Sequence, residues 1–336
     1  MMRAAVFHEV GKPLSIETVP DPAPGLGEIV IEVSHAGICG SDLHWTETPG
    51  ILTAGRILGH EFAGTVVDNN GTSISAGSRV TALPIFPCWQ CEECAHGHIY
   101  HCSAARVVGL ERDGALAKAM AVDSRLVQRL PDGISFEEGA LIEPLAVGHH
   151  TISHARELRG AKVLILGAGP IGLSALLFAL HGGAKKIASS DPGIGRRQMA
   201  LELGAHVALD PSNENVGIRF AELFGGPPDI VVECVGYPGM LGEAIRLVRK
   251  RGQILSAGGS YQPDTFTPID ALVKEISIEF SLAYELSDFA AVIDALSCNK
   301  IAAQPLITDR ITLDQLPDRF EALRKPSKTC KLLIEI

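Results

Sequence analysis

A glycine-rich turn between two apolar segments constrains this sequence more than any other feature. Residues 163–180 read VLILGAGPIGLSALLFAL and contain no charged side chain. The pattern predicts a buried strand at Val163–Leu166, a tight turn with three glycines, and a buried helix. The run is long enough to span a membrane, but its glycines and Pro170 would interrupt a spanning helix, so a membrane span is disfavoured.

The residues of this turn match those that bind the pyrophosphate of a dinucleotide. Gly167 permits the tight turn, Gly169 lets the backbone approach the pyrophosphate, and Gly172 lets helix and strand pack closely. Pro170 and Ile171 lie at the head of the helix, whose N-terminus supplies free N–H groups and the positive end of a dipole. We therefore predict that these five residues contact the cofactor.

An acidic residue follows at the position that the fingerprint requires. Asp191 lies nineteen residues after Gly172, at the end of the next predicted strand. A carboxylate there accepts hydrogen bonds from the adenosine ribose and repels the additional phosphate of NADP, which favours NAD. Arg196 and Arg197 can serve a 2′-phosphate, stack on adenine or lie on a solvated helix face. NADP therefore remains the alternative, and Arg196 is included among the predicted cofactor contacts.

The remaining pattern predicts two different domains. After the glycine turn, strands and helices alternate, which is typical of a parallel sheet covered by helices. The predicted strands are 186–190, 229–234 and 253–257, and the predicted helices are 196–203 and 240–248. Residues 1 to about 145 instead contain short β-prone runs between proline and glycine clusters such as PDPAPGLG, which indicates a mainly antiparallel β domain. The pattern also predicts a helix at 288–296 and a terminal strand at 331–336. It does not show to which domain they belong.

Length and charge limit the classes of partner. A chain of 336 residues suggests about two domains. Its formal net charge of −10 repels phosphate, so nucleic acid and anionic membranes are disfavoured and a small molecule is favoured. The first residues, MMRAAVFHEV, lack the apolar run of a secretory signal, so we expect a cytoplasmic protein.

Four of the eight cysteines are closely spaced. Cys88, Cys91, Cys94 and Cys102 form a C-x2-C-x2-C-x7-C pattern. Four thiolates within one short segment can close a tetrahedral zinc site and stabilise a loop without a core of its own. An iron–sulfur cluster is the competing interpretation, but the spacing lacks the ferredoxin ending C-x3-C-P. We predict a structural zinc, because a fully ligated ion has no open position for a substrate.

A second set of residues offers mixed metal ligands. Cys39 lies in GICGSDLHW, His60 and Glu61 lie in LGHEFAG, and Glu143 lies in ALIEPLAVG. Each alone is compatible with ordinary packing or a surface position. Together they supply sulfur, imidazole and carboxylate, which is the ligand set of zinc sites that keep one position open.

These motifs, taken in order, resemble the zinc-dependent medium-chain alcohol dehydrogenases. CGSDLH, GHE, the four-cysteine segment, EPLAVG, GAGPIG and Asp191 occur in the family's order and at similar spacings. FEEGALIEPLAVG resembles the polyol (sorbitol) dehydrogenase branch, and the C-terminal segment resembles the butanediol dehydrogenase branch. The resemblance implies a GroES-like, mainly antiparallel catalytic domain of residues 1–146 and 283–336, with a zinc segment at about 86–104. It also implies a Rossmann NAD-binding domain of residues 147–282 and an active site in the cleft.

The resemblance also implies roles for the candidate ligands. Cys39 and His60 match ligands of the catalytic zinc. Glu61 matches a carboxylate that ligates the metal or lies beside it. Glu143 matches the glutamate of the polyol branch, which binds zinc directly or through water.

Two further residues match the proton path of the family. Ser41 matches the hydroxyl that bonds the substrate oxygen, and His44 matches the imidazole that passes the proton to solvent. One departure concerns the substrate, because polyol dehydrogenases have an Arg-Tyr pair where this chain has Ala283-Tyr284. A contact expected to hold a long polyol is therefore missing.

The implied function is a zinc-dependent, NAD-linked, reversible oxidation of a secondary alcohol to a ketone. The expected cofactors are NAD and two zinc ions per subunit, one catalytic and one structural, and the expected partner is a small alcohol or ketone. Relatives are usually dimers or tetramers, so a homodimer or homotetramer is expected. The alternatives are an NADP-preferring sugar or secondary alcohol dehydrogenase, a zinc-free quinone or enone reductase, and a non-catalytic zinc- and nucleotide-binding redox sensor.

Overall fold

The computed structural model describes residues 1–260, 262–325 and 328–336. The strands are β1 (Met2–Phe7), β2 (Ser15–Val19), β3 (Glu28–Gly37), β4 (Arg56–Ile57), β5 (Glu61–Asp68), β6 (Arg79–Ala82), β7 (Ile85–Phe86), β8 (Arg106–Val107), β9 (Ala119–Asp123), β10 (Val127–Arg129), β11 (Lys162–Leu166), β12 (Lys186–Ser190), β13 (Val207–Leu209), β14 (Ile230–Glu233), β15 (Gln253–Ser256), β16 (Ser277–Phe280), β17 (Ile307–Thr312) and β18 (Lys331–Glu335).

Helices of four to twelve residues connect these strands. They are α1 (Gly40–Glu47), α2 (Glu92–Ala95), α3 (Phe136–Ala140), α4 (Ile142–Ser153), α5 (Pro170–His181), α6 (Ile194–Glu202), α7 (Val216–Phe224), α8 (Met240–Leu247), α9 (Pro268–Leu272), α10 (Leu286–Ser297) and α11 (Leu316–Ala322). Within the described ranges, no helix combines the length and the apolar character needed to cross a bilayer.

The chain divides into two compact units. Unit 1 comprises Met1–Glu143, Glu285–Ser297 and Ile307–Ile336, and unit 2 comprises Pro144–Tyr284 and Cys298–Leu306. Each unit has its own buried apolar cluster. Unit 1 is therefore built from both ends of the chain.

Unit 1 is mainly antiparallel. Its largest sheet has the order β10-β6-β5-β3-β18-β17, with β9 also paired to β3. The pair β17 and β18 is parallel, whereas β18 and β3 are antiparallel. A second sheet has the order β2-β1-β4. Continuous buried runs in β1, β3, β5 and β18 pack on a common core that includes Ile31, Phe62 and, from α11, Phe320.

Unit 2 contains a six-stranded parallel sheet in the order β13-β12-β11-β14-β15-β16. The order reverses direction beside β11, which is the topological switch point where doubly wound sheets bind nucleotides. β11 and α5 are almost wholly buried, which explains why residues 163–180 are apolar without spanning a membrane. The fold predicted from the sequence, a GroES-like β domain and a Rossmann domain, is confirmed.

The unit boundaries differ from the expected domain boundaries by a few residues at 144–146 and 283–284, and by a longer segment after α10. Residues 298–306 were expected in the first domain, but their contacts place them in unit 2. Ile301 and Pro305 lie against Leu177, Leu180 and Leu203, where they line a cavity of about 320 Å³. This short segment after α10 therefore packs its apolar side chains against α5.

The four-cysteine segment lies in unit 1 and is attached to β9 by Trp89. Trp89 has φ 62°, in the left-handed region that is costly for a bulky side chain. Its indole N–H donates to Oδ2 of Asp123 at 2.7 Å. The Arg125 guanidinium lies 4.2 Å from the ring centre and bonds the same carboxylate. These contacts hold the segment in spite of its backbone cost.

We expect Trp89→Gly to lower the free energy of unfolding by about 1–2 kcal/mol and Trp89→Ala by about 2–4 kcal/mol. Both remove a hydrogen bond to a charged group, worth about 1.5–3 kcal/mol, and a cation–π contact of about 0.5–1 kcal/mol. Only glycine relieves the left-handed backbone, by about 1–2 kcal/mol. Urea unfolding followed by circular dichroism measures both, with the exposed Gln90→Ala as control. A Trp89→Gly protein more stable than wild type would show that strain outweighs the anchor.

Candidate active site and nucleotide site

Helix α1 begins directly after Cys39 and positions it through Asp42. The Asp42 carboxylate accepts hydrogen bonds from the N–H of Cys39 at 2.9 Å and of Gly59 at 3.3 Å. Asp42 is completely buried, so these bonds compensate for the desolvation of its charge. The carboxylate thereby ties the start of α1 to the segment that precedes β5.

His60 and Glu61 enter the same region from that segment. Oδ1 of Asp42 lies 3.4 Å from Nδ1 of His60. Burial alone would lower the pKa of His60, but Asp42 raises it well above its ordinary value, with a smaller contribution from Cys39. The surroundings of His60 therefore favour positive charge.

Cys39, His60 and Glu61 form a cluster whose donor atoms all lie within 4.8 Å of one another. His60 and Glu61 are buried, and Nδ1 of His60 has no hydrogen-bond partner among the described residues. A thiolate, an imidazole and a carboxylate whose donor atoms lie this close together fit a zinc ion. These three residues could hold the metal that the sequence predicts.

Two other α1 residues lie against His60. Oγ of Ser41 is 3.4 Å from Nε2 of His60. The Trp45 ring centre is 5.4 Å from the imidazole centre. His44 is exposed on the same helix, where its carbonyl accepts hydrogen bonds from Thr48. Ser41 is therefore beside the metal-ligand cluster, and His44 faces solvent.

Glu143 is not part of the three-residue cluster. It is buried at the second residue of α4. Its negative charge contributes to the electrostatics of Lys331, as described next.

Lys331 lies beside the candidate metal cluster and was not predicted from the sequence. Its side chain is 2% exposed, contacts the Glu61 carboxylate, and donates to the carbonyl of Ile38 at 2.9 Å. Burial alone would lower the pKa of Lys331, but Glu61 raises it above its ordinary value, assisted by Cys39 and Glu143. A buried ammonium therefore faces the carboxylate of the candidate metal cluster.

Asp42 was also missed, although the sequence contains a signal for it. It lies three residues after Cys39, where a helix-capping carboxylate is expected. Lys331 has no comparable signal, because a lysine at the start of the apolar strand KLLIEI is more often exposed.

The four clustered cysteines also lie within 4.8 Å of one another. Sγ of Cys88 is 4.0 Å from Sγ of Cys94. Two sulfurs on one tetrahedral zinc, each at about 2.3 Å, lie about 3.8 Å apart. The backbone N–H groups of Gln90 and Cys91 lower the pKa of Cys88 to about 6, whereas burial raises that of Cys94 to about 12. The geometry suits a zinc ion with four sulfur ligands.

Each glycine of the turn after β11 has the geometry predicted for it. Gly167 has φ 91°, which strongly favours glycine. A Cβ on Gly172 would lie 1.9 Å from the carbonyl oxygen of Gly167, so no side chain fits there. A Cβ on Gly169 would meet no atom within 4 Å, which leaves space for a ligand. The turn and the start of α5, at Pro170 and Ile171, fit a dinucleotide pyrophosphate.

Asp191 joins this turn to the segment after β12. Its Oδ2 accepts from the N–H of Ala168 at 2.9 Å, and its Oδ1 accepts from the N–H of Gly193 at 2.7 Å. A carboxylate has about four acceptor positions, so two remain for ribose hydroxyls. Nη1 of Arg196 lies 3.8 Å from Asp191, whereas Arg197 pairs with Asp210 at 2.9 Å.

Family models match both the part of the chain with the candidate metal cluster and the part with the nucleotide turn. Residues 25–132 match the alcohol dehydrogenase GroES-like domain, and residues 170–297 match the zinc-binding dehydrogenase model. The chain is 31% identical over 326 residues to sorbitol dehydrogenase of Halalkalibacterium halodurans, with 95% of each chain covered. It is 32% identical over 337 residues to that of Gallus gallus, covering 96% of this chain and 93% of the relative.

Solved structures of dehydrogenases are also similar to this chain over its full length. The chain is similar to 2R,3R-butanediol dehydrogenase of Bacillus subtilis, with a TM-score of 0.91, 31% identity and full coverage of both chains. An Escherichia coli alcohol dehydrogenase in complex with NADH has a TM-score of 0.93 and 28% identity, with 100% and 99% coverage. A Sinorhizobium meliloti zinc-binding dehydrogenase bound to NADP has a TM-score of 0.93 and 30% identity, with the same coverage.

The GroES-like unit, the Rossmann unit and the full-length similarity to sorbitol dehydrogenases lead to one conclusion: the chain belongs to the zinc-dependent medium-chain alcohol dehydrogenases, in the polyol dehydrogenase branch, and is an alcohol or polyol dehydrogenase.

Proposed function

We propose that this enzyme catalyses the reversible, NAD-linked oxidation of a secondary alcohol to a ketone at a catalytic zinc. The substrate class is a vicinal diol, polyol or sugar alcohol. The cluster of Cys39, His60 and Glu61 is the observation that carries the proposal, because its mixed donors suit a metal that keeps a position for substrate. The names of the sorbitol and butanediol dehydrogenases to which the chain is similar support the substrate class.

The chain's own residues supply ligation and proton transfer in this mechanism. A zinc ion held by this cluster would supply a Lewis acid that lowers the pKa of a hydroxyl, and a bound nicotinamide would supply the hydride acceptor. Cys39 and His60 hold the metal, and Asp42 fixes the orientation of His60. Ser41, beside His60, bonds the substrate oxygen and relays its proton by releasing its own toward the exposed His44, which exchanges a proton with water.

The two carboxylates have supporting roles in the proposal. Glu61 is a ligand or lies beside the metal, and Lys331 holds its position. Glu143 takes the role of the polyol-branch glutamate, which binds zinc directly or through water. The four-cysteine cluster holds a second, structural zinc, so the chain carries two zinc ions.

We expect Cys39→Ser and His60→Ala to lower kcat/KM for diol oxidation at least a hundredfold. Each removes a ligand, so the Lewis acid is lost or misplaced. The assay is NADH formation with a panel of butanediols, polyols and secondary alcohols, with zinc content measured in parallel. The exposed Cys298→Ser is the matched control and should retain wild-type turnover and zinc. Near-normal turnover in either ligand variant would contradict the catalytic zinc assignment.

We propose that NAD rather than NADP is the preferred cofactor because of Asp191. Arg196 favours NADP instead, because it lies near Asp191 and could bind the 2′-phosphate of NADP.

Replacement of Asp191 by glycine should raise KM for NAD at least tenfold and reduce the preference for NAD over NADP. The substitution removes the acceptor for ribose and the negative charge that repels a 2′-phosphate. Steady-state kinetics with both cofactors measure the ratio of kcat/KM. Arg196→Ala is the paired variant, and it should weaken the use of NADP more than the use of NAD. An unaltered cofactor ratio in Asp191→Gly would refute the assignment.

We propose that two copies of the chain associate through the β16 edge of unit 2. β16 is the terminal strand of its sheet, and nearby exposed side chains include Phe280 at 69%, Leu272 at 68% and Val273 at 59% exposure. An unpaired edge beside large apolar side chains favours pairing with a second strand. A second copy can pair antiparallel about a two-fold axis.

Light scattering after gel filtration should give a mass of at least two chains for the wild type. Phe280→Glu should shift the protein to the 35.6 kDa monomer or greatly weaken association, because it places charge on an apolar surface. Leu26→Glu, at an exposed site of unit 1, should leave the mass unchanged. A monomeric wild type, or an unaffected Phe280→Glu protein, would be inconsistent with this interface.

A further inference from the structure

A pair of histidines lies at the C-terminal end of α4, within unit 2. His150 is in the last turn of the helix, and His154 is the first residue after the helix ends at Ser153. Their Nε2 atoms are 3.3 Å apart, and their rings meet edge to face at an interplanar angle of 89°. The two nitrogen tips therefore point into one small region.

Glu279 of β16 orients His154, one member of this pair. Its Oε1 lies 2.7 Å from Nδ1 of His154, and its Oε2 accepts from Nε2 of Gln253 at 3.2 Å. The Gln253 side chain also donates to the carbonyl of His154 at 2.8 Å and is buried. A carboxylate that accepts from Nδ1–H fixes the tautomer in which Nε2 of His154 carries the lone pair. This is how proteins hold a histidine that ligates a metal.

The distance between the two nitrogens also matches a shared metal ion. Two nitrogens bound to a tetrahedral zinc at about 2.0–2.1 Å lie about 3.3–3.4 Å apart. Histidines four residues apart on one helix face are an established zinc-binding arrangement.

We propose that His150 and His154 form an additional divalent-metal site, with Glu279 as the positioning carboxylate. The site would take a borderline ion such as Zn²⁺, for which imidazole is a preferred ligand. The C-terminal end of α4 carries negative partial charge, which favours a cation there. His154 is 30% exposed, so an ion can reach it from solvent.

The site is separate from the cysteine-containing clusters of unit 1. Two imidazoles leave further positions on the ion to water, so binding is weaker than at a site with four sulfur ligands. The proposal does not depend on the catalytic assignment, because the pair lies within unit 2 and includes none of those residues.

The test is zinc content at controlled free Zn²⁺. Purified enzyme is equilibrated by dialysis over a range of micromolar free Zn²⁺, and the metal per chain is measured by mass spectrometry. We expect wild type to bind one more zinc than His150→Ala and His154→Ala, and a weak chelator to remove only that zinc. Glu279→Gln should retain the site with roughly ten- to hundredfold lower affinity. His181→Ala, on an exposed histidine of α5, should behave as wild type.

Equal zinc content in wild type and both alanine variants would overturn the proposal and leave a histidine–histidine contact only. Circular dichroism establishes that each variant is folded. If an alanine variant does not fold, the affinity of Glu279→Gln decides the matter, because a mere ring contact predicts no change in zinc binding. Turnover is recorded separately, so loss of this zinc is distinguished from loss of the catalytic metal.

Discussion

The buried ion pair between Lys331 and Glu61 connects the candidate metal cluster to the last strand of the chain. Both side chains are almost fully removed from water, and loss of one partner would leave an uncompensated charge, at a cost of about 3–5 kcal/mol. The pair is held by sheet register, since β18 lies beside β3 and β3 lies beside β5. Gly37 lies opposite Glu61, where a Cβ would come within 2.1 Å of the carboxylate. Unit 1 therefore needs both ends of the chain to place one carboxylate.

A carboxylate has a comparable structural role in unit 2. Asp191 bonds the turn after β11 and the segment after β12, so the residue proposed to select the cofactor also fixes the shape of the nucleotide site. Removing its charge and removing its hydrogen bonds are thus separate effects. An amide at this position would keep an acceptor oxygen for one N–H group without repelling a 2′-phosphate. Cofactor preference and local order can be separated by comparing the amide with glycine.

Much of this could be predicted from the sequence because its signals are local. The glycine turn, β11, β12 and the cysteine spacing depend on neighbouring residues, and the structure has them as expected. The short β13 and the strands β16 and β17 were not predicted, because three to six residues of mixed polarity carry little periodic signal. The proximity of Cys39, His60 and Glu61 was suggested by family resemblance. Lys331 was missed because its burial depends on pairing between strands almost three hundred residues apart in sequence.

The reaction class and the choice of substrate depend on different sets of residues. In the proposed function the candidate metal ligands and the nucleotide turn determine the reaction class, and both are compact motifs. Substrate choice depends on the shape and polarity of the surrounding side chains, where one buried polar contact can outweigh many apolar ones. The resemblance to polyol dehydrogenases implies an arginine where this chain has Ala283, which adopts a left-handed backbone with φ 52° before the buried Tyr284. In the proposed function, an alanine side chain at this position offers a polyol no hydrogen-bond donor, so the substrate hydroxyls must be bound by other side chains.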